Sequence, residues 1–388
     1  MEGNRRTKKA ISLEGIIFLI FFMLFFYVLG SKMGVVNMFN TLMRTAHDLI
    51  LNTVLFIMGI AVLAGAIAAL LSEFGVVSII NKILSPLMKP LYDLPGAAVL
   101  GMITTYLSDN PAIITLAQDS GFKRYFKKYQ LPALTNLGTA FGMGLIVTTF
   151  MIAQVSPKGE SFIMPALVGN IGALIGSIIS VRIMLHFTKK VYGVDEMVVE
   201  NNTDNFDMIN YREIREGSAG KRFLEAMLEG GKTGVDMGMA IIPGVVIICT
   251  IVLMLTNGPT ASGAYTGAAY EGVPILPWIG DKFSFILKPL LGFKNSQAIA
   301  FPVTALGAVG AAISLVPQFL QNNIIGANEI AVFTAMGMCW SGYLSTHVAM
   351  LDSLECRHLT GKAILSHTIG GLVAGISAHF IYLLISSI

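Results

Sequence analysis

Runs of uncharged, apolar residues long enough to cross a lipid bilayer recur along this chain. The first, GIIFLIFFMLFFYVLG at 15–30, follows a polar stretch carrying Arg5, Arg6, Lys8 and Lys9. Others cover about 49–72, 131–154, 161–187, 234–257, 328–351 and 363–387. About 20 apolar residues in a helix span the hydrocarbon core, so each run predicts a transmembrane helix. The first is too long for a signal-peptide core and no small-x-small cleavage site follows it, so it reads as a retained helix.

Two other stretches, 95–119 and 296–320, are apolar at their ends and interrupted near the middle, the first by Ser108-Asp109-Asn110-Pro111. Each is preceded by an amphipathic piece containing Lys-Pro-Leu, at 89–91 and again at 288–290. Proline removes a backbone donor and ends or kinks a helix, while Ser, Asp and Asn cap the start of a new one. Both stretches are therefore expected to be re-entrant helical hairpins. The only long hydrophilic segment, 188–232, separates two halves.

Composition fixes the class. Of 388 residues 54% are apolar and 13% charged, with a mean hydropathy of +0.71. A soluble domain carries about 25% charged residues, so a soluble protein is excluded and an all-α polytopic membrane protein is expected. The three cysteines (Cys249, Cys339, Cys356) lack metal-ligand spacing and imply neither a metal site nor a disulfide framework. No phosphate-binding P-loop, HExxH pair or GxSxG elbow occurs, so no enzymatic activity and no cofactor are expected.

Charge distribution orients the chain. With the amino terminus inside and both hairpins returning to the side they enter from, segments 1–10, 73–94, 119–130, 182–232 and 355–362 are cytoplasmic and hold 20 of the 26 basic residues, as the positive-inside rule requires. Residues 123–128 (KRYFKK) read as a topology signal that contacts anionic lipid, not nucleic acid. The carboxy terminus then lies outside.

An offset of 199 aligns 84–154 with 283–353 without a gap, and 13 of the 71 pairs are identical, including Ser85/Ser284, Lys89-Pro90-Leu91/Lys288-Pro289-Leu290, Thr105/Thr304, Thr135/Thr334, Gly138/Gly337 and Met151/Met350. Each unit reads spanning helix, KPL segment, hairpin, spanning helix. The first hairpin opens inside and the second outside, so the units form an inverted-topology repeat, a recurring build of secondary transporters with the solute bound near the midplane. The expected organisation is an N-terminal tail and first helix (1–48), a first repeat (49–154), a connecting helix (155–187), a hydrophilic cytoplasmic loop (188–233), a second repeat (234–353) and a C-terminal helix (354–388).

A carboxylate at membrane depth is costly, which makes Asp109, with Ser108 and Asn110, the leading candidates for solute contact; the bland alternative is a cap on the second hairpin helix. The matching Gly307-Ala308-Val309-Gly310 has no carboxylate but lets backbone approach a ligand. Asn136 and Thr139 on the next helix are further candidates, with an interhelical hydrogen bond as the alternative for Asn136. In the second half, Trp340, Ser341, Tyr343, Ser345, Thr346 and His347 form a polar-aromatic cluster suited to an organic solute; Ser341, Tyr343 and His347 are the candidates taken from it. His347 could carry a proton or be a satisfied packing residue. Asn295, Ser296 and Gln297 open the second hairpin and complete the set. His367 and His379 read as structural.

The segment from about Asn52 to Gln154, with LSPLMKPLYDLPGAAVLGMITTYLSDNPAIITLAQDSG followed by LPALTNLGTAFGMGL, resembles the nucleoside-recognition, or Gate, domain of bacterial membrane proteins. About Gly234 to Ser353 looks like a diverged second copy. The whole resembles the two-Gate-domain proteins of the YjiH type, akin to the spore-maturation membrane proteins, and is distantly similar to concentrative nucleoside transporters. The resemblance implies a transport fold with paired hairpins and a bacterial cytoplasmic membrane.

The expected function is a permease for a small organic solute, nucleoside-like or another polar metabolite, working by alternating access with Na+ or H+ as the coupling ion. The alternative is a non-transporting assembly protein of the spore-maturation kind. The expected partners are the solute, lipid and further copies of the chain in a homo-oligomer.

Overall fold

The computed structural model describes residues 9–110, 112–199, 210–260 and 262–387. The basic tail through Lys8, Pro111 at the expected hairpin break, residues 200–209 of the hydrophilic loop and the side chain of Ser345 lie outside the described residues. Among the described residues there is no strand, only an isolated bridge from Lys127 to Met197.

The first half runs α1 (Leu13–Met33), α2 (Val35–Glu73), α3 (Val76–Tyr92), the hairpin arms α4 (Ala98–Leu107) and α5 (Ala112–Gln118), α6 (Ala133–Ile152) and α7 (Ile163–Tyr192). The second runs α8 (Ala219–Thr256), α9 (Ile275–Lys282), α10 (Ser284–Leu291), the hairpin arms α11 (Ala300–Ala305) and α12 (Val309–Gln321), α13 (Ala327–Cys339), α14 (Tyr343–Ser353) and α15 (Arg357–Ser386). Six helices, α1, α2, α6, α7, α8 and α15, are long and apolar enough to cross a membrane. The chain is an all-α polytopic membrane protein with a broken hairpin in each half. The helices α2 and α8 run unbroken through residues 49 and 234, so the repeated units begin inside continuous helices. The span expected at 328–351 is instead two helices, broken at Trp340–Gly342.

Backbone conformation carries the repeat where sequence identity does not. Asp93 ends α3 with φ 58° and Gly292 ends α10 with φ 70°; Met143 breaks α6 with φ 53° and Gly342 starts α14 with φ 68°. Each pair is separated by 199 residues. Glycine takes the left-handed conformation freely, whereas Asp and Met are held there at a cost. Repeat mates also touch: Cys339 Sγ lies 3.9 Å from the carbonyl of Ala140, and a Cβ on Gly142 would sit 2.9 Å from Ser341 Oγ. A residue meets its own counterpart only on or beside a two-fold axis, so the halves are joined about such an axis at 140/339 and 142/341.

Small residues set the helix contacts. In lipid there is little hydrophobic drive between helices, so association relies on close approach. Along α2 and α8 a Cβ on Gly65 or Gly230 would lie 2.3 Å from the other's carbonyl oxygen, and one on Gly234 would lie 2.3 Å from that of Ala61. The pairing 65/230, 61/234 and 58/238 makes the two helices antiparallel. Along α7 and α15 a Cβ on Gly176 would be 2.4 Å from the Gly370 carbonyl, and one on Gly172 2.6 Å from that of Ala374. Both α2 and α8 contain a π turn, Leu49–Val54 and Gly244–Cys249.

The basic segments gather at one end of the bundle. Asp93 pairs with Lys89 at 2.6 Å and Lys189 at 2.7 Å. Burial pushes its carboxyl up, but the two ammonium groups outweigh this and hold it below the ordinary carboxylate range. Lys128 pairs with Glu196 at 2.8 Å, and the Val198 amide donates to the Phe126 carbonyl at 3.0 Å. Tyr192 reaches Cys356 and His358. Glu73 accepts from Arg215 at 2.5 Å and Arg222 at 2.7 Å, and the Arg212 Nε donates to its carbonyl at 3.3 Å. The opposite end carries Asn37 on the Tyr265 carbonyl and Asn328 between Leu291 and His379.

These contacts fasten both described ends of the hydrophilic loop to the bundle. Glu73→Gln removes the charge that holds Arg215 and Arg222, and limited trypsin digestion should then cut after Arg212 or Arg215 several-fold faster than in the native chain; an unchanged rate would mean that the other contacts hold the segment.

Candidate functional site

The two hairpins end on one cavity. It has a volume of about 330 Å³ and is lined by Asp109 and Asn110 of the first tip, Gly307, Ala308, Val309 and Gly310 of the second, Met143 at the break in α6, Ser341, Gly342 and Thr346 at the start of α14, and Ala240, Ile241 and Gly244 of α8. Unwound backbone at membrane depth is tolerated where protein or a cavity satisfies it. Here the tips do both.

Asn110 fastens the first tip across the interface between the halves. Its Nδ2 donates to the Ser341 carbonyl at 2.7 Å, and its amide N donates to Asp109 Oδ1 at 2.7 Å. Its Oδ1 is buried with no hydrogen-bond partner. A Cβ on Gly142 would lie 1.6 Å from that oxygen, so only glycine leaves room for the amide. At the second tip the Gly342 amide donates to the Ala305 carbonyl at 3.1 Å, and Thr346 Oγ1 donates to the Gly342 carbonyl at 2.8 Å. A Cβ on Gly310 would meet Ile241 at 2.8 Å, so this glycine-rich tip packs directly on α8. No lysine or arginine lines the cavity among the described residues. Its polar groups are the Asp109 carboxyl, the Asn110 amide, the Ser341 and Thr346 hydroxyls and the main chain of the second tip, where α12 begins.

Of the eleven residues expected at the site, Asp109, Asn110 and Ser341 line this cavity and the other eight do not. Ser108 turns back and donates to the Thr104 carbonyl at 2.7 Å. Asn136 is fully buried and donates to Ser180 Oγ at 3.0 Å and the Ala363 carbonyl at 3.1 Å, the interhelical role weighed against solute contact. Thr139 donates to the Thr135 carbonyl at 2.7 Å. Asn295 Oδ1 caps the Gln297 amide at 2.9 Å, and Gln297 Nε2 donates to the Thr256 carbonyl at 3.3 Å. Asn295 and Ser296 line a separate pocket with Asp281, Lys288 and Lys294. Tyr343 bonds Thr368 at 2.8 Å, and His347 Nδ1 lies 3.0 Å from the Tyr343 carbonyl, both facing α15. The physical reason is helical geometry: Gly342 and Thr346 are four residues apart on one face, Tyr343 and His347 on the next.

The α8 wall was not anticipated. Its sequence signal is Pro243-Gly244 inside an apolar run, a breaker pair of the kind that marks irregular backbone, and the π turn begins there.

No protein-family model matches the chain, and no curated protein matches it. The Gate-domain and spore-maturation resemblance is thus carried by the quoted residues alone. Solved structures do match, and they give the class of fold. They are of the concentrative nucleoside transporter CNTnw. A double variant in an outward-facing state aligns with TM-score 0.53 and 14% identity over 96% of this chain and 93% of that one. A second outward-facing double variant gives 0.53 and 13% over 94% and 83%. CNTnw in an inward-facing substrate-bound state gives 0.50 and 13% over 83% and 73%. At this identity the likeness concerns the fold.

Proposed function

We propose that the chain is a secondary transporter that carries a small polar organic solute across the bacterial cytoplasmic membrane by alternating access, with its amino terminus and hydrophilic loop inside. The observation that carries the reading is the cavity at the meeting of both hairpin tips with the breaks at Met143 and Gly342. Its 330 Å³ lies at the lower end of the ~300–1,000 Å³ typical of ligand sites, which suits one compact solute. Because the one ionisable side chain on the wall among the described residues is the acid Asp109, the solute should present hydroxyl or amine donors to it and carry no negative charge. A nucleoside, with its ribose hydroxyls and the N–H donors of its base, meets this description. That the fold neighbours are nucleoside transporters seen facing outward and inward supports the same reading. Na+ or H+ would drive the cycle.

The test is a thermal-unfolding screen of the purified protein against nucleosides, amino acids, dipeptides and carboxylates. A ligand at 100 times its Kd stabilises a folded state by about 2.7 kcal/mol. A nucleoside or another neutral polyhydroxylated or amine solute should raise the unfolding temperature, and carboxylates should not. Stabilisation by dicarboxylates alone would overturn the assignment of solute class.

A further inference from the structure

His347 and His367 form a buried imidazole pair beside the cavity but outside it. Both are fully buried, and the ring centroids are 4.8 Å apart. The hydrogen bonds of His367 define its tautomer. Its Nε2 bonds the Cys339 carbonyl, which can only accept, so Nε2 carries the proton. Its Nδ1, 2.9 Å from Ser180 Oγ, is then the acceptor. Ser180 in turn accepts from Asn136 Nδ2 at 3.0 Å. Every polar atom of that chain is matched.

His347 is not matched. Its Nδ1 lies 3.0 Å from the Tyr343 carbonyl and so must carry its proton, which leaves Nε2 with a lone pair. That nitrogen is buried with no partner. A buried acceptor without a donor costs free energy, and the residue stands one position beyond Thr346, whose side lines the cavity. Around it, α15 contributes His367, its own helix contributes Tyr343, and α6 has no titratable side chain. Asp352, further along α14, lies 3.7 Å from Arg357 at the exposed end.

We propose that His347 Nε2 is a proton-binding site, empty in the state described here and filled in another state of the cycle. This rests on the transporter reading of the cavity. A proton added to Nε2 here would create a charged ring with one donor unmatched in a dry setting, so binding requires α14 to move relative to α15 and admit water or an acceptor. The left-handed residue Gly342 is the pivot, and the same movement displaces Thr346 at the cavity wall. One proton enters per pair, since a second on His367 would set two like charges 4.8 Å apart.

The experiment follows the imidazole nitrogens by NMR between pH 5 and 8, in nanodiscs, for ¹⁵N-histidine-labelled protein and for His347→Asn. The asparagine amide can still donate to the Tyr343 carbonyl, and His347→Gln serves if that variant is unstable. The expected result is a titrating imidazole in the native protein that is missing from the variant. A resonance that is lost but holds its neutral Nδ1–H form across the whole range would overturn the proposal and make His347 a packing residue. In proteoliposomes with trapped pyranine, uridine uptake should acidify the lumen with the native protein and not with the variant; equal acidification by both would also overturn it. If neither takes up uridine, the nucleoside reading fails, and the NMR titration still decides the proton site.

Discussion

Asp109→Ala is expected to abolish solute uptake at unchanged expression, and Gly142→Ala to do the same from the other side of the tip. Asp109 receives the Asn110 amide at 2.7 Å, and loss of a capping side chain costs about 0.5–2 kcal/mol, so the protein should still fold. What the substitution removes is the only carboxylate on the cavity wall among the described residues. Gly142→Ala leaves that carboxylate in place but puts a methyl 1.6 Å from where Asn110 Oδ1 now sits. The amide must swing away and release the Ser341 carbonyl. If positioning contributes as it commonly does, where displacement by about 1 Å can cost 10²-fold, both variants should lose uptake by well over tenfold. The measurement is initial uptake rate per folded transporter, with unfolding temperature recorded alongside. Normal transport by both variants would move the site elsewhere and leave Asp109 as a cap.

The largest effect on stability is expected at Gly234. A Cβ there would stand 2.3 Å from the Ala61 oxygen and 2.5 Å from its carbonyl carbon, backbone atoms that cannot rotate aside. Gly234→Val should therefore cost more than the about 1–3 kcal/mol of ordinary overpacking. The readout is loss of the monodisperse peak in size-exclusion chromatography. Gly220→Ala on the same helix has nothing within 4 Å of its new Cβ and should be neutral or stabilising by up to about 1 kcal/mol. If Gly234→Val were as well behaved as that control, α2 and α8 would not pack as described.

Six of the seven spans, both hairpins, the 199-residue offset and the acidic tip were legible because each rests on local sequence: hydropathy over a window, a proline after cap residues, a repeated tripeptide. The break in α6 was not. A methionine signals no turn, and Met143 is held at φ 53° by its surroundings. The polar cluster of α14 was visible but its facing was not, since residues 341–347 wrap more than one face and the sequence does not say which meets α15. Asn136 shows the same limit. Its partners Ser180 and Ala363 stand 44 and 227 residues away, and only the tertiary fold decides between a lattice of interhelical bonds and a solute.

The contacts between repeat mates have a consequence for how a cargo lies. In an assembly of two identical copies, a residue on the axis faces itself, so whatever one rim of a central chamber offers, the other offers too. Here Ala140 faces Cys339, and Gly142 faces Ser341. Asp109 and Asn110 stand on one rim, with Ala308 and Val309 at the matching positions on the other. A molecule held there has a head and a tail: one end meets a carboxylate and an amide, the other bare main chain. Chemical changes at its two ends should therefore be tolerated very unequally, with the donor-bearing end guarded and the opposite end open to variation.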